Sequence, residues 1–101
     1  MGRMSTFRCR DCGREAQVCG GKDSGLQCQL RTVYCRSCYT LQDIVRMQWP
    51  PYQMELATRV PPSPCECCGA TKYRVWNAGD ACPRCGGEVE VIYDAGDVLW
   101  D

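Results

Sequence analysis

A small, metal-stabilised β fold built from two tandem units is predicted from three observations. Eleven of the 101 residues are cysteine, eight of these fall into four C-x-x-C pairs, and there is no histidine. A chain of this length makes one modest domain or two very small ones, and it buries too little apolar surface to do without staples. The thiols supply them. The run Met1–Arg10 has no apolar stretch of the signal-peptide kind, and no segment approaches the length of a membrane span. The expected compartment is therefore the cytoplasm, where dense cysteines point to metal rather than to disulfides.

Cys9 and Cys12 are followed, after 22 intervening residues, by Cys35 and Cys38; Cys65 and Cys68 are followed, after 13, by Cys82 and Cys85. A C-x-x-C turn aims two sulfurs at one ion, and two facing turns complete a tetrahedron. Taken in chain order, the spacing predicts site 1 from Cys9, Cys12, Cys35 and Cys38, and site 2 from Cys65, Cys68, Cys82 and Cys85. Glycine directly follows Cys12, Cys68 and Cys85, where such a turn favours positive φ. Tyr39 follows Cys38 and departs from that pattern.

The paired knuckles resemble the zinc ribbon family, in which two of them close one end of a small antiparallel sheet. That resemblance implies two Zn²⁺ ions and divides the chain into ribbon 1 (1–48), a Pro-rich joint (49–64) and ribbon 2 (65–101). The runs 26–34 and 40–45 are β-compatible around the second knuckle, and 72–76 leads to a turn at 77–80. In 88–94, Val89, Val91 and Tyr93 alternate with Glu88, Glu90 and Ile92, and 97–101 adds an edge strand after a turn at 95–97.

The joint holds five of the six prolines. Pro50 and Pro51 can open a helix carrying Tyr52, Leu56 and Val60 on one face, and 61–64 stops it in an extended, stiff exit. It is a semi-rigid linker, or a partner-binding segment anchored by Trp49, Tyr52 and Leu56, with Met47 and Met54 beside them and Trp100 near the end of the chain. Inside the first unit, 20–25 is the expected tip of a long finger. It is no phosphate-binding Walker loop. The remaining thiols, Cys19, Cys28 and Cys67, are small buried apolar residues or the start of a third metal site.

Without histidine, His-dependent triads, zinc hydrolases of the H-E-x-x-H type and mixed Cys/His zinc sites are excluded. No catalytic constellation emerges, and the expected activity is non-enzymatic: a zinc-binding interaction module docking on a protein partner. Residues 1–50 carry eight basic against four acidic side chains and residues 51–101 four against eight, so the neutral total covers a +4 half and a −4 half. A second reading is a nucleic-acid-binding accessory using Arg8, Arg10, Arg14, Arg31, Arg36 and Arg46, with Phe7, Tyr34 and Tyr39 to stack on bases.

The stretch from Cys65 to Gly87 also resembles the rubredoxin-like domain of the rubrerythrins, through Cys65, Cys68, Gly69, Cys82, Pro83 and Cys85. That likeness covers about a fifth of the chain and implies iron in site 2 and an electron carrier as a third reading. Tandem ribbons are also similar in architecture to small RNA polymerase subunits and transcript-cleavage factors. The Asp-Glu pair those cleavage factors carry does not occur after Cys68.

Overall fold

The computed structural model describes residues 2–92 and 98–100, with Gly2 and 98–100 described by backbone alone. The chain forms β1 (Gly2–Cys9), β2 (Glu15–Val18), β3 (Lys22–Ser24), β4 (Cys28–Cys35), β5 (Leu41–Gln48), β6 (Thr58–Arg59), β7 (Tyr73–Val75), β8 (Val89–Val91) and β9 (Val98–Trp100). The runs expected at 26–34, 40–45 and 72–76 are β4, β5 and β7, and 88–94 contributes β8. Tyr93 and the turn at 95–97 lie outside the described residues.

All pairings are antiparallel. In the first sheet β1 is central: β2 pairs with Ser5–Arg8, β8 with Phe7–Cys9, and β9 with Gly2–Met4. In the second sheet β4 is central. The β5 strand runs along one edge, β3 and β7 share the other, and β6 extends the sheet beyond β5.

These pairings correct the division at 49–64. Strands from the far half complete both sheets, β8 against β1 and β7 against β4, so neither half is a unit by itself. The reason is an open edge. Each hairpin, β1–β2 and β4–β5, leaves one side of its first strand unpaired, and backbone N–H and C=O groups left there need partners. The third strand provides them.

The expected helix is likewise replaced. Gln53 N–H closes a turn onto Pro50 C=O at 3.0 Å, and Tyr52 takes φ 59°. That left-handed residue ends any helix before it starts. A single 3₁₀ turn, Met54–Leu56, then returns the chain to the β5 edge as β6. Trp49 is only 8% exposed, and its indole N–H donates to Leu26 C=O at 2.6 Å. It is a structural anchor and not a free docking residue.

The two sheets meet at Cys19–Gly21, where the chain leaves β2 and enters β3. The expected fingertip is thus a crossover plus a strand, and the hairpin turn is 25–27, closed by Gly25 N–H on Cys28 C=O at 2.9 Å. Thr32, fully buried in mid-β4, organises the crossover. Its Oγ1 accepts from Gly20 N–H (2.9 Å) and Gly21 N–H (3.2 Å) and donates to Asp43 at 2.5 Å, while Cys19 N–H donates to the same carboxylate at 2.9 Å. The core lies beside this joint. Phe7 of β1 meets Trp76, just after β7, edge to face at 5.4 Å, with Val18 fully buried against them and Val89 and Val91 packed around.

Gly20 has φ 79°, and a Cβ there would stand 2.7 Å from Phe7 Cζ. Gly13 has φ 74° with open space around it. Denaturant titration of the metal-loaded protein is therefore expected to show Gly20→Ala destabilised by about 3 kcal/mol, from backbone strain plus displacement of the core ring. Gly13→Ala, which suffers only the strain, is expected to lose about 1 kcal/mol. Equal losses would contradict the packing argument.

Candidate metal centres

All four C-x-x-C turns share one hydrogen-bond pattern. The first cysteine's N–H donates to the carbonyl five residues on, and the N–H four residues on donates back to the first cysteine's carbonyl, at 2.7 to 3.0 Å throughout. The residue four positions on is Gly13, Tyr39, Gly69 or Gly86, and every one has φ between 60° and 76°. Tyr39 therefore departs from the pattern in residue type and not in shape. The left-handed backbone costs a non-glycine residue about 1 kcal/mol. Tyr39 partly offsets this by stacking on Tyr34, with ring centroids 6.4 Å apart.

The turns that face each other are not those expected from chain order. Cys9, Cys12, Cys82 and Cys85 form one group and Cys35, Cys38, Cys65 and Cys68 the other, with all four sulfurs in each lying within 4.8 Å of one another. This corrects both predicted ligand sets: the same eight cysteines are used, but the first knuckle meets the fourth and the second meets the third. By chain position we call these the outer and inner sites.

The physical reason is the strand complement of each knuckle. The first two knuckles are the tips of hairpins, β1–β2 and β4–β5. The last two each precede a lone strand, β8 and β7. One of each kind makes a three-stranded sheet with both turns at the same end, through the registers Cys9↔Val89 and Cys35↔Tyr73. Two hairpin knuckles together would leave both outer strands unsatisfied. Gly87 records the same facing: a Cβ there would fall 2.1 Å from Asp11 Oδ2, inside the opposing knuckle.

The sulfur geometry suits a tetrahedral ion, since four thiolates about 2.3 Å from one metal lie about 3.8 Å apart. In the outer site Cys9–Cys85 is 3.3 Å and Cys12–Cys82 is 3.9 Å; in the inner site Cys35–Cys68 is 3.4 Å and Cys38–Cys65 is 3.6 Å. Each first cysteine is buried and each second one more open to solvent. Backbone N–H groups of Cys12, Ser37 and Gly87 donate to sulfur at 3.4 Å, and the Gln42 amide donates to Cys65 at 3.3 Å. Both groups could hold a metal ion.

Their electrostatics point the same way. The Thr40 hydroxyl and N–H bring Cys38 down to about 6, and the Cys12 N–H foremost brings Cys9 down to about 7. The Gln42 amide lowers Cys65. At Cys68 and Cys85 the N–H groups of Ala70 and Gly87 pull down but are outweighed by the neighbouring sulfurs and burial, and both thiols are pushed up to about 12. Four sulfurs this close shed all their protons only beside a cation.

The spare thiols join neither group, and among the described residues they form no third one. Cys19 donates to Asp43 Oδ1 and meets Thr32 Oγ1, both at 3.3 Å, and burial pushes it up; burial also raises Cys28. Cys67 is exposed.

The nucleic-acid candidates separate. Arg8 pairs with Glu15 and Glu90, and Arg10 with Glu88 and Glu90, at 3.5 to 3.7 Å. Arg14 and Arg36 are exposed beside knuckles. Arg31 and Arg46 line one depression on the second sheet together with Lys22 and Arg59. Those last two were missed because only cross-strand register brings them near. Of the partner candidates, Tyr52 is 87% and Leu56 54% exposed, Trp49 is buried, and the Trp100 side chain lies outside the described part of β9.

Comparison of the chain with protein-family models, with curated proteins and with solved structures yields no match. Among the described residues no helix is long and apolar enough to cross a membrane.

Nested pairing has a direct readout in metal stoichiometry. Cys12→Ser/Cys85→Ser is expected to keep one ion, because both changes fall in the outer site. Cys12→Ser/Cys38→Ser is expected to lose both ions; pairing in chain order requires the reverse. Acidification provides a second test, since protons compete with metal for thiolates and affinity falls with pH. Each site has one strongly raised thiol, but the inner site has two lowered ones, Cys38 and Cys65, against Cys9 alone in the outer, so the outer site is expected to empty first as pH falls. Cadmium NMR, with resonances assigned by the serine variants, would follow the order.

Proposed function

We propose that this chain is a zinc-stabilised, non-enzymatic interaction module: two zinc ribbons nested one inside the other, which together present a folded surface to a protein partner. The observation that carries the proposal is the grouping of eight cysteines into two closed Cys₄ sets, one joining the two ends of the chain and the other nested inside it. A site filled by four protein ligands keeps no open position for substrate or water, which favours a structural ion over a catalytic one. The ion would cross-link the turns of β1 and β8 in the outer site and of β4 and β7 in the inner one.

The non-cysteine core supports the same reading. Among the described residues the buried apolar side chains besides the ligands are Phe7, Val18, Leu30, Val33, Ile44, Trp49 and Trp76. So small a set cannot hold nine strands unaided. Binding of structural zinc by thiolates is worth about 10 kcal/mol or more and is folding free energy here.

The electron-carrier reading has lost its support. Cys65 and Cys68, which with Cys82 and Cys85 carried the likeness to rubredoxin-like domains, lie in a different group from that second pair. The nucleic-acid reading keeps only Arg31 and Arg46 of its six arginines together.

Protein purified without added metal is expected to carry two zinc ions, to be colourless, and to lose its β circular-dichroism signal when a strong chelator removes them. A visible charge-transfer band with iron in the protein would overturn the zinc assignment. A metal-free protein with a native spectrum would overturn the whole proposal.

A further inference from the structure

The second sheet has two faces with opposite fates. Side chains alternate across a strand, and the face bearing Thr32 and Asp43 is consumed by the crossover. The other face is a shallow depression of about 770 Å³ with Lys22, Arg31, Arg46 and Arg59 on its walls and no carboxylate in its lining. Asp23, next to Lys22, points away and accepts from Arg3 N–H at 2.7 Å. Among the described residues Lys22, Arg46 and Arg59 make no ion pair, whereas Arg8 and Arg10 of the first sheet are fully engaged with glutamates.

The charges are crowded by the fold itself. Lys22 stands directly opposite Arg31 in the β3–β4 register. Like charges at that position repel, and a sheet would not favour the pair for its own stability. A bulge between Gln29 and Leu30 pairs these residues with Met47 and Val45, leaving Arg46 as the extra residue on β5. Bulges re-aim side chains, and this one brings Arg46 to the same depression as Ile44 and Met47. Arg59, opposite Met47, closes the far side.

We infer that this depression binds an acidic, extended segment of a protein partner, one that alternates carboxylate and aliphatic side chains. Charge complementarity calls for an anion, and the floor selects its class. Met47, half-buried, and Val75, 51% exposed, form its apolar surface over the buried Ile44, and there is no aromatic ring in the lining. Unspecific single-strand nucleic-acid sites pair a cationic track with rings on which bases stack. Here aliphatic side chains have apolar surface to meet, and forked guanidinium groups match carboxylates.

The inference rests on the interaction-module reading and is tested apart from it. The probe is a fluorescent peptide alternating glutamate and valine, added to the metal-loaded full chain and followed by anisotropy. The controls are a lysine/valine peptide and oligothymidylate. The acidic peptide is expected to bind and the basic one not. Arg46→Ala/Arg59→Ala is expected to weaken binding by about tenfold or more, and Lys22→Glu likewise, with Arg8→Ala leaving it unchanged. Two bound zincs and a native spectrum in each variant keep loss of fold out of the result. A folded, two-zinc wild type that ignores the acidic peptide would overturn this inference and leave the zinc module standing. Tighter binding of oligothymidylate than of the peptide at equal salt would overturn it in favour of nucleic acid.

Discussion

Four sulfurs can converge on one point only if two C-x-x-C turns are carried there by strands that also satisfy each other's backbone. In this chain that double condition pairs the first turn with the fourth and the second with the third. Much of the remaining architecture follows. The inner sheet must be completed by β7 before the chain can return to the outer one, so β8 lies against a strand some eighty residues earlier. The contacts are long-range, and the entropy of closing such loops is offset where sulfurs meet and strands pair. The chain is one body because its ends are drawn to the same site.

Nesting also reorganises the charge. A chain that is +4 in one half and −4 in the other looks dipolar as text. Antiparallel pairing of β1 with β8 lays Arg8 beside Glu90 and Arg10 between Glu88 and Glu90, so the halves neutralise each other around the outer site. Each such exposed pair contributes at most about 1 kcal/mol. On the other sheet the arrangement differs: Lys22, Arg46 and Arg59, which make no ion pair among the described residues, line one depression with Arg31.

The joint at Cys19–Gly21 links these two outcomes. Thr32 and Asp43 take up its backbone N–H groups on one face of β4 and β5, leaving the opposite face open. The second sheet thus has one face committed and the other cationic, with the inner Cys₄ group at the end where β4 meets β7, and the proposed recognition uses it as a scaffold. Rigid strands place charges more reproducibly than a loop would, which lowers the ordering cost of binding.

Sequence alone determined the local chemistry: eight cysteines able to hold metal, four turns of one kind, and the strands β4, β5, β7 and β8. These depend on spacing within a few residues, on glycine at positive φ, and on period-two alternation, all of which are written locally. Tertiary structure decided which turns meet, because one C-x-x-C is chemically the same as another and only the open strand edges distinguish them. It also decided the fates of single side chains. Trp49 is buried because Leu26 C=O waits for its indole N–H, Tyr39 takes a glycine's conformation beside Tyr34, and Lys22 meets Arg31 through a register that no sequence pattern displays.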